Sequence, residues 1–383
     1  MKGLKQVSVM LKTLFILIVT APVLAGCWDS SNLESVGYVT AIGIDREDKE
    51  YVFYAQLIDL STIAKTEGGG NKNSTPVWNG QGRGKTVYDA YDKVLRSAQS
   101  ELSLEQLKVV VVRERAMSNM TEILDAINRV RVSRYTSWVF GTKDEIKDIF
   151  SSDRILERSQ LHSMLYNPQQ HMKSNTFVEP LNMQKFVAGY NEPTVTALLP
   201  SVQVTDNTWS RNKSSIKVEM IDGVFAFKGK KKQYYGRNQI TGIRWFNPRF
   251  SRYLLPVQSA QGLVATVAVT ESRHKVKVAI KQGKPAFTLH MRIKGELAET
   301  EGGMNDKDII HATKTIIAEE MMQVFTEGVK HGDDLLNLDE QLFRYHYKEW
   351  KKINKKAGWQ PQIGDLKVKV DFILKHAGSF QLE

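Results

Sequence analysis

One cysteine stands in the 383 residues of the chain, Cys27, so no part of it can be held by an internal disulfide. Small exported domains that cannot build a sufficient core are usually stapled by disulfides. This chain must rest on packing instead, and its 42% of hydrophobic residues is enough for an ordinary core. The place of Cys27 explains why it stands alone. Met1–Lys12 carries Lys2, Lys5 and Lys12 and no acid, Leu14–Val19 is an unbroken apolar run, and small residues then lead to Leu24-Ala25-Gly26-Cys27. This basic, apolar, small-residue order is that of a secretory signal. The run is shorter than the about 20 residues of a transmembrane helix, and no later segment approaches that length. Residues 1–26 are therefore read as a signal peptide and the remainder as an exported ectodomain.

Leu24-Ala25-Gly26-Cys27 resembles the lipobox of bacterial lipoproteins. In that family a diacylglycerol is attached to the cysteine, and cleavage leaves it as the first residue. The resemblance implies lipidation at Cys27, with Leu24, Ala25 and Gly26 as its recognition residues. The physics of such an anchor is favourable: one acyl chain binds a bilayer marginally, whereas two, at about 0.8 kcal/mol per buried CH₂, hold stably.

The formal net charge of +11 is uneven. Residues 27–210 hold 20 basic and 23 acidic residues, whereas residues 211–383 hold 30 and 19. Two clusters stand out in the second part: Lys228, Lys230, Lys231, Lys232 and Lys351, Lys352, Lys355, Lys356. An exported protein rarely meets nucleic acid, so no nucleic-acid partner is expected. An anionic membrane surface, an acidic partner and a solvated charged face remain open.

Periodicity divides the ectodomain at about residue 210. In residues 27–210, Val36–Ile44 and Tyr51–Leu57 read as paired strands and Lys65–Gly84 as a long Gly/Asn-rich loop. Thr86–Ala98 reads as a helix, Leu107–Val112 as a buried strand, Glu122–Val130 as a helix, Tyr135–Phe140 as a strand and Asp144–Phe150 as a helix. Helical stretches follow at Leu156–Leu165 and Leu181–Val187, and Asp206–Ser214 reads as a linker. Residues 211–383 open with strands around Ile216–Met220, Val224–Phe227 and Gln233–Tyr235. A hairpin then pairs His274–Ile280 with Phe287–Ile293 through Gln282-Gly283-Lys284-Pro285. A long amphipathic helix starts near Asp306, capped by Asn305 or Asp306 and closed by Gly328. Its face, Ile309, Ile310, Thr313, Ile316, Ile317, Met321, Val324 and Phe325, is read as core. A second helix carries Leu338, Leu342, Phe343, His346, Tyr347 and Trp350, and the strand Leu366–Leu374 ends the pattern. The fold class is α+β: an elongated multi-domain ectodomain with a mixed α/β N-terminal half, and a C-terminal half of mainly antiparallel sheet with two long helices. There are no internal repeats.

Signatures of catalysis are missing. Gly80–Thr86 mimics a phosphate-cradling loop, but position 79, where the first glycine belongs, is Asn79, and a strand barely precedes it. The eight histidines form no cluster with ligand spacing; His274 and His290 fall on opposite parities of their hairpin, hence on opposite faces. No Gly-x-Ser-x-Gly elbow occurs, and the lone thiol is assigned to lipid. No catalytic, cofactor-binding or metal-binding residue is expected, and no enzyme.

Gly26-Cys27-Trp28-Asp29 followed by Val39-Thr40-Ala41-Ile42-Gly43-Ile44-Asp45 resembles the N-terminal signature of the Ger(x)C family, the C subunits of spore nutrient-germinant receptors. Gly84-Lys85-Thr86 leading into the helix with Ala90 fits the same family. So do Val224-Phe225-Ala226-Phe227-Lys228, Lys284-Pro285-Ala286-Phe287 and Tyr347-Lys348-Glu349-Trp350-Lys351, in that order across the mature chain. Gly68–Ser74 departs from the pattern as a local insertion. The resemblance implies a non-enzymatic subunit on the outer face of the spore inner membrane, with two membrane-embedded partners, A and B, of which B resembles amino-acid transporters. It implies nutrient sensing by the complex, leading to ion and dipicolinate release, and a three-part ectodomain in which residues 27–210 form two subdomains. Direct nutrient binding by this subunit is left open. The rival reading is a solute-binding lipoprotein of a transporter, which calls for two doubly wound lobes around a cleft.

Overall fold

The computed structural model describes residues 10–12, 15, 36–58, 76–129, 135–157, 159–175, 177–246, 252–355 and 359–375. β1 (Val36–Glu47) and β2 (Glu50–Ile58) pair antiparallel as expected, and Asp48 and Lys49 turn between them at positive φ, as a two-residue hairpin of this twist requires. β3 (Val77–Gly84) adds to β2 along its whole length. The expected loop therefore ends at Val77; residues 65–75 lie outside the described residues, as does the insertion Gly68–Ser74. α1 (Val87–Ser97) begins at Thr86, whose hydroxyl accepts the Asp89 N–H at 3.1 Å. β4 (Glu101–Ser103), β5 (Val109–Arg113), α2 (Met120–Arg129), β6 (Trp138–Thr142) and α3 (Ile146–Phe150) continue the alternation.

Where a helix was expected at Leu156–Leu165, the chain makes two single 3₁₀ turns, at Ile155–Glu157 and Gln160–His162, with Leu156 at positive φ. α4 (Pro168–Asn175), β7 (Leu181–Asn182), α5 (Met183–Asn191) and β8 (Ala197–Thr205) follow. The expected linker carries a small ribbon, β9 (Ser210–Arg211) and β10 (Ser214–Ser215), turning at Asn212-Lys213. β11 (Val218–Lys228) and β12 (Lys231–Gly236) form a hairpin across Gly229-Lys230.

The first sheet has ten strands, in the order β12-β11-β8-β6-β5-β1-β2-β3, with β4 beside β1 and β7 beside β6. Its centre, β1, β5, β6 and β8, is parallel, and both flanks are antiparallel. β5 shows why the centre is buried. Its Val109-Val110-Val111-Val112 is apolar at every position, so side chains enter a core on each face: Val109 and Val111 on one, Val110 and Val112 on the other. Because β11 pairs with β8, the first sheet joins strands from both sides of residue 210.

α6 (Arg237–Ile240) and a 3₁₀ turn over Thr241–Phe246 lead to the second sheet, β13 (Tyr253–Gln258), β14 (Val264–Lys281), β15 (Lys284–Glu301) and β16 (Leu366–Lys375). It is antiparallel except for β16, which runs parallel to β15. α7 (Asp306–His331) covers one face. Ile309, Thr313, Ile317, Met321, Val324 and Phe325 are all buried, and the apolar ones share a core with Phe287, Leu289, Met291 and Ile293. Each buried side chain of this size contributes about 1.5–3 kcal/mol. Asn305 caps α7. Gly328 does not end it: the helix runs one more turn to Gly332 at φ 69°, and the Asp333 N–H returns to the Gly328 carbonyl at 2.8 Å. Gly328 is glycine because a Cβ there would lie 2.4 Å from the Asp333 carbonyl oxygen.

The expected second long helix is two short ones, α8 (Leu338–Tyr345) and α9 (Tyr347–Asn354), broken at His346 (φ −137°). The apolar period runs through the break, which is why it read as one helix. With its helices on one face of a mainly antiparallel sheet, the second half is not a doubly wound lobe. No helix among the described residues is long and apolar enough to cross a membrane.

Candidate functional site

Cys27, nine positions before β1 begins, and its expected recognition residues Leu24, Ala25 and Gly26 lie outside the described residues. The Gly-Lys-Thr lookalike is described, and its glycines have another use. β3 keeps Gly80, Gly82 and Gly84 on the face against α1, where a Cβ on Gly82 would stand 2.2 Å from the Ala90 carbonyl and one on Gly84 2.4 Å from the Ala90 nitrogen. The glycines are a seam that lets helix and strand backbones touch. The β3 main chain is registered on β2 from Val77 to Gly84, which leaves no open turn of N–H groups to cradle a phosphate. His274 pairs with Met291 and His290 with Lys275 in the β14–β15 ladder, so the two rings stand on opposite faces.

Sequence reading missed an ion cluster at the carboxyl ends of β1 and β5. Asp45 is fully buried and accepts a bidentate pair from Arg115, at 2.7 Å on each oxygen, with Arg113 at 3.1 Å and the Arg46 N–H at 2.7 Å. Burial pushes this carboxyl up, but Arg115, the Arg46 N–H and Arg113 outweigh it and hold it below its ordinary value. Glu47 pairs with Arg83 and Arg115, and Glu145 with Arg113. Three carboxylates converge as cation ligands would, yet three guanidinium groups already neutralise them, so the cluster fits a structural ion network. The register Ile44↔Val112 sets Asp45 level with Arg113, a pairing that comes from the fold and not from spacing in the sequence.

An apolar cavity of about 20 Å³ opens between α1, α2 and the first sheet, lined by Ile42, Phe53, Val87, Leu104 and Ile127 with Tyr88 and Tyr91. It has room for about one water and no charged group in its lining, so it does not take an amino acid.

The first basic cluster is tied into the fold. The Gly229-Lys230 turn carries Lys231 to Asp333 at 2.7 Å and to the His331 carbonyl, Lys228 to within 3.8 Å of Asp339, and Lys232 to the Glu114 carbonyl. The Tyr235 hydroxyl donates to the second Asp333 oxygen at 2.7 Å. Asp334, almost wholly buried, accepts the Asp339 N–H at 2.8 Å at the start of α8, and burial pushes its carboxyl up to about 6. Asn337, at φ 51°, accepts the Thr196 N–H at 2.7 Å, which ties the α7–α8 turn to the start of β8. The second cluster faces solvent. Lys351, Lys352 and Lys355 are exposed on and just after α9, beside a Phe343–Tyr347–Trp350 ring group and an exposed Tyr345; Lys356 lies outside the described residues.

Comparison with known families decides the class. A model described as spore germination protein N-terminal domain matches residues 29–204, and one described as spore germination B3/GerAC like, C-terminal, matches residues 222–378. The chain belongs to the Ger(x)C family of spore germination proteins. This is a family of germinant-receptor subunits rather than of a known enzyme class. Spore germination protein B3 of Bacillus subtilis (strain 168) is 22% identical over 379 residues, 92% of this Ger(x)C chain and 93% of that protein. Spore germination protein A3 of the same organism is 24% identical over 287 residues, 72% of this chain and 71% of its own. A crystal structure of the GerBC protein is similar over 88% of this chain and 97% of that one, with a TM-score of 0.53 and 16% identity, which shows a shared fold.

Proposed function

We propose that this Ger(x)C chain is the C subunit of a nutrient germinant receptor, held by lipid on Cys27 to the outer face of the cell membrane (in the spore, the inner membrane). It acts by contact with two membrane-embedded subunits, A and B, and carries no chemistry of its own. The observation that carries the reading is the succession of both family domains, residues 29–204 and 222–378, directly behind a lipobox cysteine. Eight residues separate Cys27 from Val36, nine steps along the chain. At 3.3–3.6 Å each they reach at most about 30 Å, which keeps the ectodomain in a thin layer and raises its effective concentration for membrane partners.

The test is a germination assay. Spores carrying Cys27→Ala should respond poorly to the nutrient this receptor serves and normally to calcium dipicolinate, and subunits A and B should fall in abundance. A defect that extends to calcium dipicolinate would place the protein downstream of all receptors. No defect in any nutrient response after deletion of the gene, with overlapping receptors also deleted, would overturn the reading.

A further inference from the structure

The positive charge of the C-terminal half gathers on a surface that neither basic cluster marks. α7 covers one face of the second sheet, and the opposite face is open to solvent. Three successive rows across β14, β15 and β16 read Lys277–Thr288–Lys367, Lys275–His290–Lys369 and Arg273–Arg292–Asp371. Strand alternation aims all of these away from the core, because their neighbours Leu289, Met291 and Ile293 are buried beneath them. Arg273, Lys275, Lys277, Arg292, Lys367 and Lys369 are all exposed. Among the described residues only Arg273 of the six makes an ion pair, with Glu271 at 2.6 Å, and Asp371 is the single acid in the three rows.

The arrangement works against the sheet's own stability. Arg273 stands opposite Arg292, and like charges directly across a ladder are destabilising; Lys275 and Lys369 stand one strand further apart, on either side of His290. Lysines on an edge strand guard against unwanted pairing, which accounts for Lys367 and Lys369 on β16. The same holds for Lys275 and Lys277, because β13 pairs only with Val264–Val269 and leaves the rest of β14 an edge. Edge protection gives no reason for Arg292 on the inner strand β15, nor for the gathering of all six cations on one face.

We infer that this face of the second sheet lies against anionic lipid headgroups, so that the ectodomain rests on the membrane by charge as well as by its anchor. The inference rests on the reading of the chain as a membrane-held lipoprotein. Several features select a lipid surface over an acidic protein. The face is a sheet surface rather than a pocket, and four of its six cations are lysines, flexible point charges suited to a delocalised anionic layer. Protein interfaces concentrate their affinity in buried aromatic or apolar anchors, and the three rows carry none. Lysine and arginine near an anionic membrane each strengthen binding by about fivefold.

The experiment uses the full-length chain with Cys27→Ala, which removes the lipid. It is sedimented with vesicles of phosphatidylcholine alone, which report the apolar contribution of the leader, and of phosphatidylcholine with phosphatidylglycerol, where the leader's lysines contribute equally to every variant compared. The expected result is binding that requires phosphatidylglycerol and weakens as salt shortens the Debye length from about 30 Å at 0.01 M to about 8 Å at 0.15 M. Changing Lys275, Lys277, Lys367 and Lys369 together to Glu should weaken it at least about a hundredfold, following the per-cation factor. The matching change to Gln, which guards against misfolding by charge reversal, should act in the same direction. Changing Lys351, Lys352 and Lys355 to Glu should weaken binding far less. Binding lost with the α9 set and kept with the sheet set would overturn the assignment of the face. Absence of phosphatidylglycerol-dependent binding at low salt would overturn the lipid occupant and point to an acidic protein. Fatty-acid incorporation into the parent chain reads the anchor separately, so failure of the face and failure of the anchor are distinguishable.

Discussion

The lysines of the β11–β12 turn and those of the second sheet's outer face have much the same sequence character, and the structure puts them to opposite uses. Lys228, Lys231 and Lys232 reach inward to Asp339, to Asp333 and to the Glu114 carbonyl, and join the first sheet to the helices. Lys275, Lys277, Lys367 and Lys369 reach outward and make no ion pair among the described residues. A run of basic residues therefore says little about availability. What separates the two sets is what the fold brings opposite them: buried acids in the first case, more cations in the second.

The sharpest handle on the turn region is Asp334, the buried carboxyl beside Lys228. Its folded value of about 6 lies above the usual 3.8, so the folded state holds a proton that the unfolded state releases first. Stability contributed by the neutral carboxyl is present below pH 4 and lost as pH rises through 6. Asp334→Asn keeps an acceptor for the Asp339 N–H and cannot ionise. Its advantage over the parent should grow from near zero at pH 4 to as much as about 3 kcal/mol at pH 7, measured by urea melts across pH. A pH-independent difference would remove Asp334 as the cause.

Lys231→Met comes next. It leaves Asp333, buried at 3% exposure, with Tyr235 as its remaining side-chain partner. Loss of one partner from a wholly buried pair costs about 3–5 kcal/mol. Lys231 is half exposed, so a loss of about 2 kcal/mol is expected, again by denaturant melts. An unchanged midpoint would mean the turn lysines are as free as those of the sheet face, and the comparison would collapse.

The smallest effect belongs to the sheet face. Lys275→Gln with Lys369→Gln should shift stability by no more than about 0.5 kcal/mol, and upward, because two members of a face of like charges are removed without loss of an ion pair. A clear fall in melting temperature would show that these lysines serve the fold.

The contrast also marks where sequence reading reached and where it stopped. Alternation was enough for the β1–β2 pair, for the β14–β15 hairpin with Gln282 and Gly283 at its positive-φ turn, and for the core face of α7. It placed His274 and His290 on opposite faces for the same reason. It failed on β3, because glycines carry no side-chain pattern and read as loop although they form a strand seam. It failed at His346, where the apolar spacing of one helix continues across a backbone break. The basic face was illegible because its rows join residues from three strands, and β16 reaches β15 only after α7, α8 and α9 have passed. The ion cluster at Asp45 was hidden likewise, since the β1–β5 register that brings Arg113 and Arg115 to it is set by the fold.

If lipid on Cys27 holds this Ger(x)C chain at the membrane, fatty-acid labelling reads the anchor itself. Cells expressing the parent chain or Cys27→Ala are fed a clickable fatty acid, and the immunoprecipitated protein is read for label and mass. The parent is expected to carry label and to run as the chain cleaved before Cys27, and Cys27→Ala to carry none. Label retained by Cys27→Ala, or a parent chain without label, would contradict the account.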